Sequence, residues 1–88
     1  MSDNVNERPR PTDYDDYRRY LRMMVRHLTH LGDFSYRKFA LKAGLSAAYL
    51  KLVIEGQRHV SYASLRKMSK ALDHSPEEAE SFEALVLF

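Results

Sequence analysis

The chain contains no cysteine. That excludes a disulfide framework and any thiolate chemistry. No apolar run approaches the roughly 20 residues of a membrane span, and no apolar signal-peptide core opens the sequence. A cytoplasmic location is therefore the expectation. There is no nucleophile elbow and no glycine-rich phosphate cradle, so an enzyme is not expected. Of the four histidines (His27, His30, His59 and His74) only His27 and His30 are near one another. Three-residue spacing with no third ligand does not make a metal site, so neither a metal nor a cofactor is expected. Glycine and proline are scarce, at three each, and act as punctuation. No strand alternation and no internal repeat is visible.

Eighty-eight residues form one small domain, with a stability of about 5–10 kcal/mol. The formal net charge is +2, unevenly spread. Residues 34–72 carry eight basic side chains against Glu55 alone, a local +7. Residues 73–88 carry Asp73, Glu77, Glu78, Glu80 and Glu83, a local −5. The first 33 residues balance, with six of each sign. A basic middle beside an acidic end suits a domain that presents one face to a polyanion. A solvated helical surface of mixed charge fits the same numbers.

Residues 1–12, with Pro9 and Pro11, read as a flexible N-terminal tail ahead of a domain over 13–88. Thr12 or Asp13 caps a first helix near 13–31, in which Tyr14, Tyr17, Leu21, Met24, Leu28 and Leu31 recur at spacings of three and four. Gly32 and Asp33 end it. Ser35 caps a helix near 35–43 with Phe39, Ala40 and Ala43 on one face. Gly44 ends that helix, because glycine takes the left-handed conformation without a Cβ penalty. Ser46 caps a third helix near 46–55, with Tyr49, Leu50 and Val53 inward. Gly56 closes it. Ser61 opens a fourth helix near 61–73, with Leu65, Met68, Ala71 and Leu72 inward. Ser75-Pro76-Glu77-Glu78 is a strong start for a fifth near 76–87, with Ala79, Phe82, Leu85 and Val86 inward. The expected fold is all-α: a compact five-helix domain with a central helix-turn-helix.

Ala40, Gly44, Leu45-Ser46, Leu50, Val53, Gly56, Arg58, Ser61, Leu65, Met68 and Leu72 lie without a gap on the spacing of Cro and phage-repressor helix-turn-helix domains. The segments Phe-Ser-Tyr-Arg-Lys-Phe-Ala, Tyr-Leu-Lys-Leu-Val-Ile-Glu-Gly and Ser-Pro-Glu-Glu-Ala-Glu resemble a family of bacterial regulators, in which a similar N-terminal module precedes a larger C-terminal region. The resemblance covers about residues 14–88. It implies a DNA-binding module of a transcriptional regulator, with its recognition helix, about 46–55, in the major groove of double-stranded DNA. Ser46, Ala47, Ala48 and Lys51 would face base edges, while Tyr36, Arg37 and Arg58 would hold phosphate. Tyr36 replaces a glutamine frequent at that position; its phenol can still donate to phosphate.

The outer positions of the third helix are Ala47, Ala48, Lys51, Leu52 and Glu55. Base readout usually employs Arg, Asn or Gln, and only Lys51 is a strong donor here. A protein-interaction module on the same fold, without specific DNA binding, is thus the alternative. Lys38 and Lys42 are further candidates for phosphate. Arg18, Arg22 and Arg26 form an i, i+4 stripe that reads as a solvated face paired with Asp15 or Asp16. Tyr20, Met23 and His27 fall off the main stripe of the first helix, and Leu85, Leu87 and Phe88 exceed what one small core needs. The C-terminal helix is the better placed surface for a homodimer or for a missing C-terminal domain, with Tyr20 and Met23 as an alternative surface for self-association; a terminus folded onto its own core fits the same residues.

Overall fold

Tyr14 breaks the chain's first helical start. In the computed structural model, which describes residues 7–87, Pro11–Asp13 form a single 3-10 turn, and Tyr14 after it is extended. Helix α1 (Tyr17–Leu31) then starts afresh at Asp16, whose carboxylate accepts from the Arg18 amide at 2.9 Å. The expected cap at Thr12 or Asp13 is thus replaced by Asp16. Four further helices follow: α2 (Tyr36–Ala43), α3 (Ala47–Ile54), α4 (Tyr62–Ala71) and α5 (Pro76–Leu87). No strand occurs among the described residues. The fold is all-α and compact, with a radius of gyration of 12.0 Å.

Every helix start and three of the helix ends have a local chemical cause. Ser35, Ser46 and Ser61 accept from the amides of Lys38, Tyr49 and Ser64, which satisfies first-turn donors that a helix cannot satisfy itself. Ser75 and Glu78 exchange side chain-to-backbone bonds of 3.1 and 2.9 Å, a reciprocal capping box at the start of α5. Three helices end alike, in paired bonds back onto the last turn around a left-handed residue. After α2 that residue is Gly44 at φ 70, with Leu45 N donating to Ala40 O. After α3 it is Gly56 at φ 83, with Gln57 N donating to Leu52 O. After α4 it is Asp73 at φ 54, with His74 N donating to Ser69 O.

The core is one cluster built around Tyr20, Leu21, Met24, Phe39, Leu50, Val53, Met68, Leu72 and Phe82, all essentially inaccessible to solvent. Helix α2 packs on α3 and α4, α3 on α1, and α5 on α1, α4 and the Pro11–Asp13 turn. Because α1 is covered by both α3 and α5, its buried arc is wider than one stripe. Tyr20 and His27 are buried with the expected Leu21 and Met24, so Tyr20 belongs to the core and not to a self-association surface. Leu28 and Leu45, expected as core, are half-buried at its edge. Leu31, expected on the inner stripe, is 62% exposed.

The segment just before α1 is anchored. Pro11 is buried. Arg8 donates to Glu78 at 3.0 Å and to the Leu72 carbonyl at 2.9 Å, tying the α4–α5 corner to the chain's beginning. From Arg8 onward the expected tail is therefore docked. Residues 1–6 of that tail, and Phe88, lie outside the described residues.

Candidate nucleic-acid interface

Helices α2 and α3 are joined by three residues, Gly44, Leu45 and Ser46. Leu45 reaches toward the core while Ser46 opens α3. The inner face of α3 buries Leu50, Val53 and Ile54. Its outer face leaves Ala47, Ala48, Lys51 and Glu55 exposed, with Leu52 half-buried at the margin. The Ser46 hydroxyl oxygen accepts the Tyr49 amide at 3.0 Å, which leaves its proton free to donate to an outside acceptor. Tyr36, Arg37 and Arg58 are exposed as well. All seven positions expected to meet DNA thus lie at the surface.

Arg58 is held near α3 by an aromatic contact. Its guanidinium lies 5.9 Å from the Tyr49 ring centre, within the range of a cation–π attraction. Tyr49, itself half-buried, donates to the His59 carbonyl at 3.2 Å, which fixes the connector after α3. Tyr36 and Arg37 make no hydrogen bond, ion pair or ring contact with α3 among the described residues; the path from Tyr36 runs through Arg22. That arginine lines the same groove as Tyr36 and donates to the Ile54 carbonyl at 3.2 Å, at the end of α3. Burial raises the Tyr36 phenol above its ordinary pKa, while the Arg22 charge pulls the other way. The phenol is protonated near neutrality and can donate.

Carboxylates divide the cations of this region into two groups. Lys38 pairs with Asp33, and Lys42 pairs with Asp73 at 2.9 Å. These two lysines are partly neutralised. Arg37, Lys51 and Arg58 have no ion-pair partner among the described residues, which leaves their charge available to an anion. The α1 stripe also divides. Arg18 lies 3.7 Å from Asp16 and 4.7 Å from the Tyr17 ring centre, Arg22 is tied to α3, and Arg26 is exposed. The expected pairing with Asp15 or Asp16 therefore holds for Arg18 only. Arg26 and His30, which share the groove with Tyr36, were not among the expected site residues, although the i, i+4 arginine spacing signalled the first of them.

His27 is buried and His30 exposed, so the two do not converge, and no three His, Cys, Asp or Glu come together among the described residues. No helix of the described residues is long and apolar enough to cross a membrane. No family model, curated protein or solved structure matches the chain.

Proposed function

We propose that this chain is the DNA-binding module of a bacterial, cytoplasmic transcriptional regulator, with α3 entering the major groove. Ser46, Ala47, Ala48 and Lys51 meet base edges, and Tyr36, Arg37 and Arg58 hold backbone phosphates. The observation that carries the reading is the sorting of charge. Asp33 and Asp73 are spent on Lys38 and Lys42, which leaves Arg37, Lys51 and Arg58 unpaired among the described residues, against the single exposed carboxylate of Glu55 at the end of α3. Helix α3 presents small side chains beside one cation, a surface a groove can approach closely. With one strong donor on that helix, affinity comes mostly from phosphate contacts and counterion release. Two copies of the module acting as a dimer through α5, or a second domain, would supply the rest.

Random-sequence duplex DNA is the first test. Binding is expected at dissociation constants on the order of micromolar or above at physiological salt, weakening steeply as salt rises. Arg37→Ala with Arg58→Ala is expected to flatten the salt slope by about two contacts. A protein-interaction module is the second reading, favoured by the apolar Ala47, Ala48 and Leu52 and by Leu41, which is 79% exposed on α2. Absence of duplex binding at about 50 mM salt selects it, because the electrostatic attraction is strongest there.

A further inference from the structure

A groove between α1 and the start of α2 differs in chemistry from two other depressions on the surface of the described residues. Arg22, Arg26 and His30 of α1 line one side and Ser35 and Tyr36 the other, with apolar Met23, Val25 and Phe34 also in the lining. No carboxylate lines it among the described residues. The depression between α4 and α5 mixes Arg66, Lys67 and Lys70 with Glu80 and Glu83. The one beside the Pro11–Asp13 turn holds Asp13 and Asp15 beside Arg19.

The donors in the α1–α2 groove are differently committed. Arg22 already serves the Ile54 carbonyl. The Thr29 hydroxyl has two carbonyl acceptors within reach, Val25 at 2.7 Å and Phe34 at 3.0 Å. Arg26 and His30 make no ion pair or hydrogen bond among the described residues, and neither does the Tyr36 hydroxyl. The Ser35 hydroxyl oxygen accepts the Lys38 amide, which leaves its proton to donate. Asp33, the acidic residue closest in sequence, is held by Lys38. The free Arg26 guanidinium, the His30 ring and two hydroxyl donors therefore line one concave strip with no carboxylate among them. A lone surface arginine would not have that setting.

We infer that this groove seats a backbone phosphate of duplex DNA, gripped by Arg26 and His30 from α1 together with Ser35 and Tyr36 from the start of α2. The inference rests on the DNA-binding reading and extends it. The grip is no longer confined to α2 and the connector after α3, but includes the face of α1 beside them. A phosphodiester fits because it offers two acceptor oxygens to donors arriving from two sides, and its charge offsets a strip with no carboxylate of its own. Such a contact fixes the duplex against the domain and carries no base preference.

The test is a salt series of binding to random-sequence duplex DNA by the full chain. Arg26→Gln with His30→Gln is expected to weaken binding equally for all duplexes and to lower the salt slope by about one to two units. Arg26→Lys in the parent background is expected to keep most of the slope. Lys67→Gln removes the same formal charge from the mixed depression on α4 and is expected to leave the slope unchanged. Thermal midpoints equal to the parent's confirm that the variants are folded; should the double variant unfold, the single Arg26→Gln, at an exposed position, is expected to lower the slope by about one unit. If Arg37→Ala with Arg58→Ala flattens the slope while the Arg26 and His30 variants do not, the phosphate seat is overturned and the DNA reading stands. If Lys67→Gln acts as strongly as Arg26→Gln, only net charge matters and the seat is again overturned. Absence of parent binding to duplex at about 50 mM salt defeats the DNA reading itself, and the seat with it.

Discussion

The Tyr20 hydroxyl lies 2.7 Å from His74 Nε2, joining the middle of α1 to the corner between α4 and α5 across 54 residues of sequence. His74 Nδ1 is 2.7 Å from the Ser69 hydroxyl, so both ring nitrogens are partnered in a half-buried site. The Phe82 ring packs edge-on against the imidazole at 5.3 Å and tilted against the Tyr20 ring at 5.5 Å. Glu78 and Arg8 face the cluster from α5 and from the segment before α1, and their own bond of 3.0 Å closes its open side. Two hydroxyls serve a neutral imidazole equally well, since each can donate or accept. They serve a protonated one only as acceptors.

Stability is expected to fall as the solution is acidified below about pH 6.5. Burial holds His74 well below its ordinary value, at about 4; the Glu78 charge opposes this and the Arg8 charge adds to it. Between the ordinary histidine pKa and about 4 the unfolded chain binds a proton that the folded chain refuses, so lowering the pH favours unfolding. The loss approaches about 3 kcal/mol by pH 4 at about 1.4 kcal/mol per pKa unit. Glu78 acts in the same direction at the acid end. Burial would raise its carboxyl, but the bonds from Arg8 and the Ser75 amide outweigh it and hold the group below its ordinary value. Thermal midpoints measured from pH 7.5 to 4 check this, and His74→Gln should remove most of the slope above about pH 4.5. A midpoint flat across that range in the parent would contradict the assignment.

The two glycines that flank α3 are expected to differ in their tolerance of a side chain. Both are left-handed, and a Cβ there costs on the order of 1 kcal/mol. At Gly44 a Cβ meets nothing within 4 Å. At Gly56 it would lie 3.1 Å from Arg18 Nε, an atom already buried without a hydrogen-bond partner. Moving that guanidinium disturbs its stack on Tyr17 and its approach to Asp16. Gly56→Ala is thus expected to be the more destabilising, by roughly 1 kcal/mol beyond Gly44→Ala, when the two are compared by urea denaturation. Equal losses would show that the Arg18 side chain yields freely.

Local chemistry made much of this fold legible. Ser35, Ser46, Ser61 and Ser75 each start a helix as their sequence context indicates, and Phe39, Leu50, Met68 and Phe82 fall inward on a 3.6-residue period. Where the reading failed, a distant partner decided the outcome. Tyr20 looks peripheral on one stripe of α1, and only the arrival of His74 and Phe82 encloses it. Asp73 takes a left-handed turn that glycine would mark, and its carboxylate then reaches Lys42, 31 residues earlier. Thr12, Asp13 and Asp16 are all competent caps; the extended backbone at Tyr14 selects the last. At the candidate interface the exposure of α3's outer face follows from periodicity. Which lysines are neutralised does not, because Asp33 and Asp73 lie outside the helix they pair with.

Ala47→Glu separates the surface role of α3 from its packing role. Ala47 is exposed at the first position of the helix, so a carboxylate there is solvated and favourably placed against the helix dipole. Stability is expected to change by under about 0.5 kcal/mol. Against DNA the same carboxylate meets the groove wall and its phosphates, and binding is expected to be lost. The measurement is duplex binding alongside chemical denaturation of the same preparation. Unfolding of the variant would mean that Ala47 belongs to the core, and unaltered DNA binding would remove α3 from the interface.

Self-association is expected to run through the end of α5. A single recognition helix with one strong donor gains little sequence discrimination, whereas two such helices about 34 Å apart read successive major grooves of a two-fold site. Leu87 is 52% exposed, while Leu85 and Val86 are half-buried against the core from the same turn. Phe88, expected to share this surface, lies outside the described residues. The rival surface on α1 is weakened because Tyr20 is enclosed, which leaves Met23 without its neighbour. Leu87→Asp with Phe88→Asp is therefore expected to lower the solution mass from dimer toward monomer while the thermal midpoint stays near the parent's. Light scattering across a concentration series reaching about 100 µM reads this directly, since a dimer's population rises with protomer concentration. A parent chain that stays monomeric throughout would remove α5 as a dimer surface, and the second set of DNA contacts would then have to come from another domain.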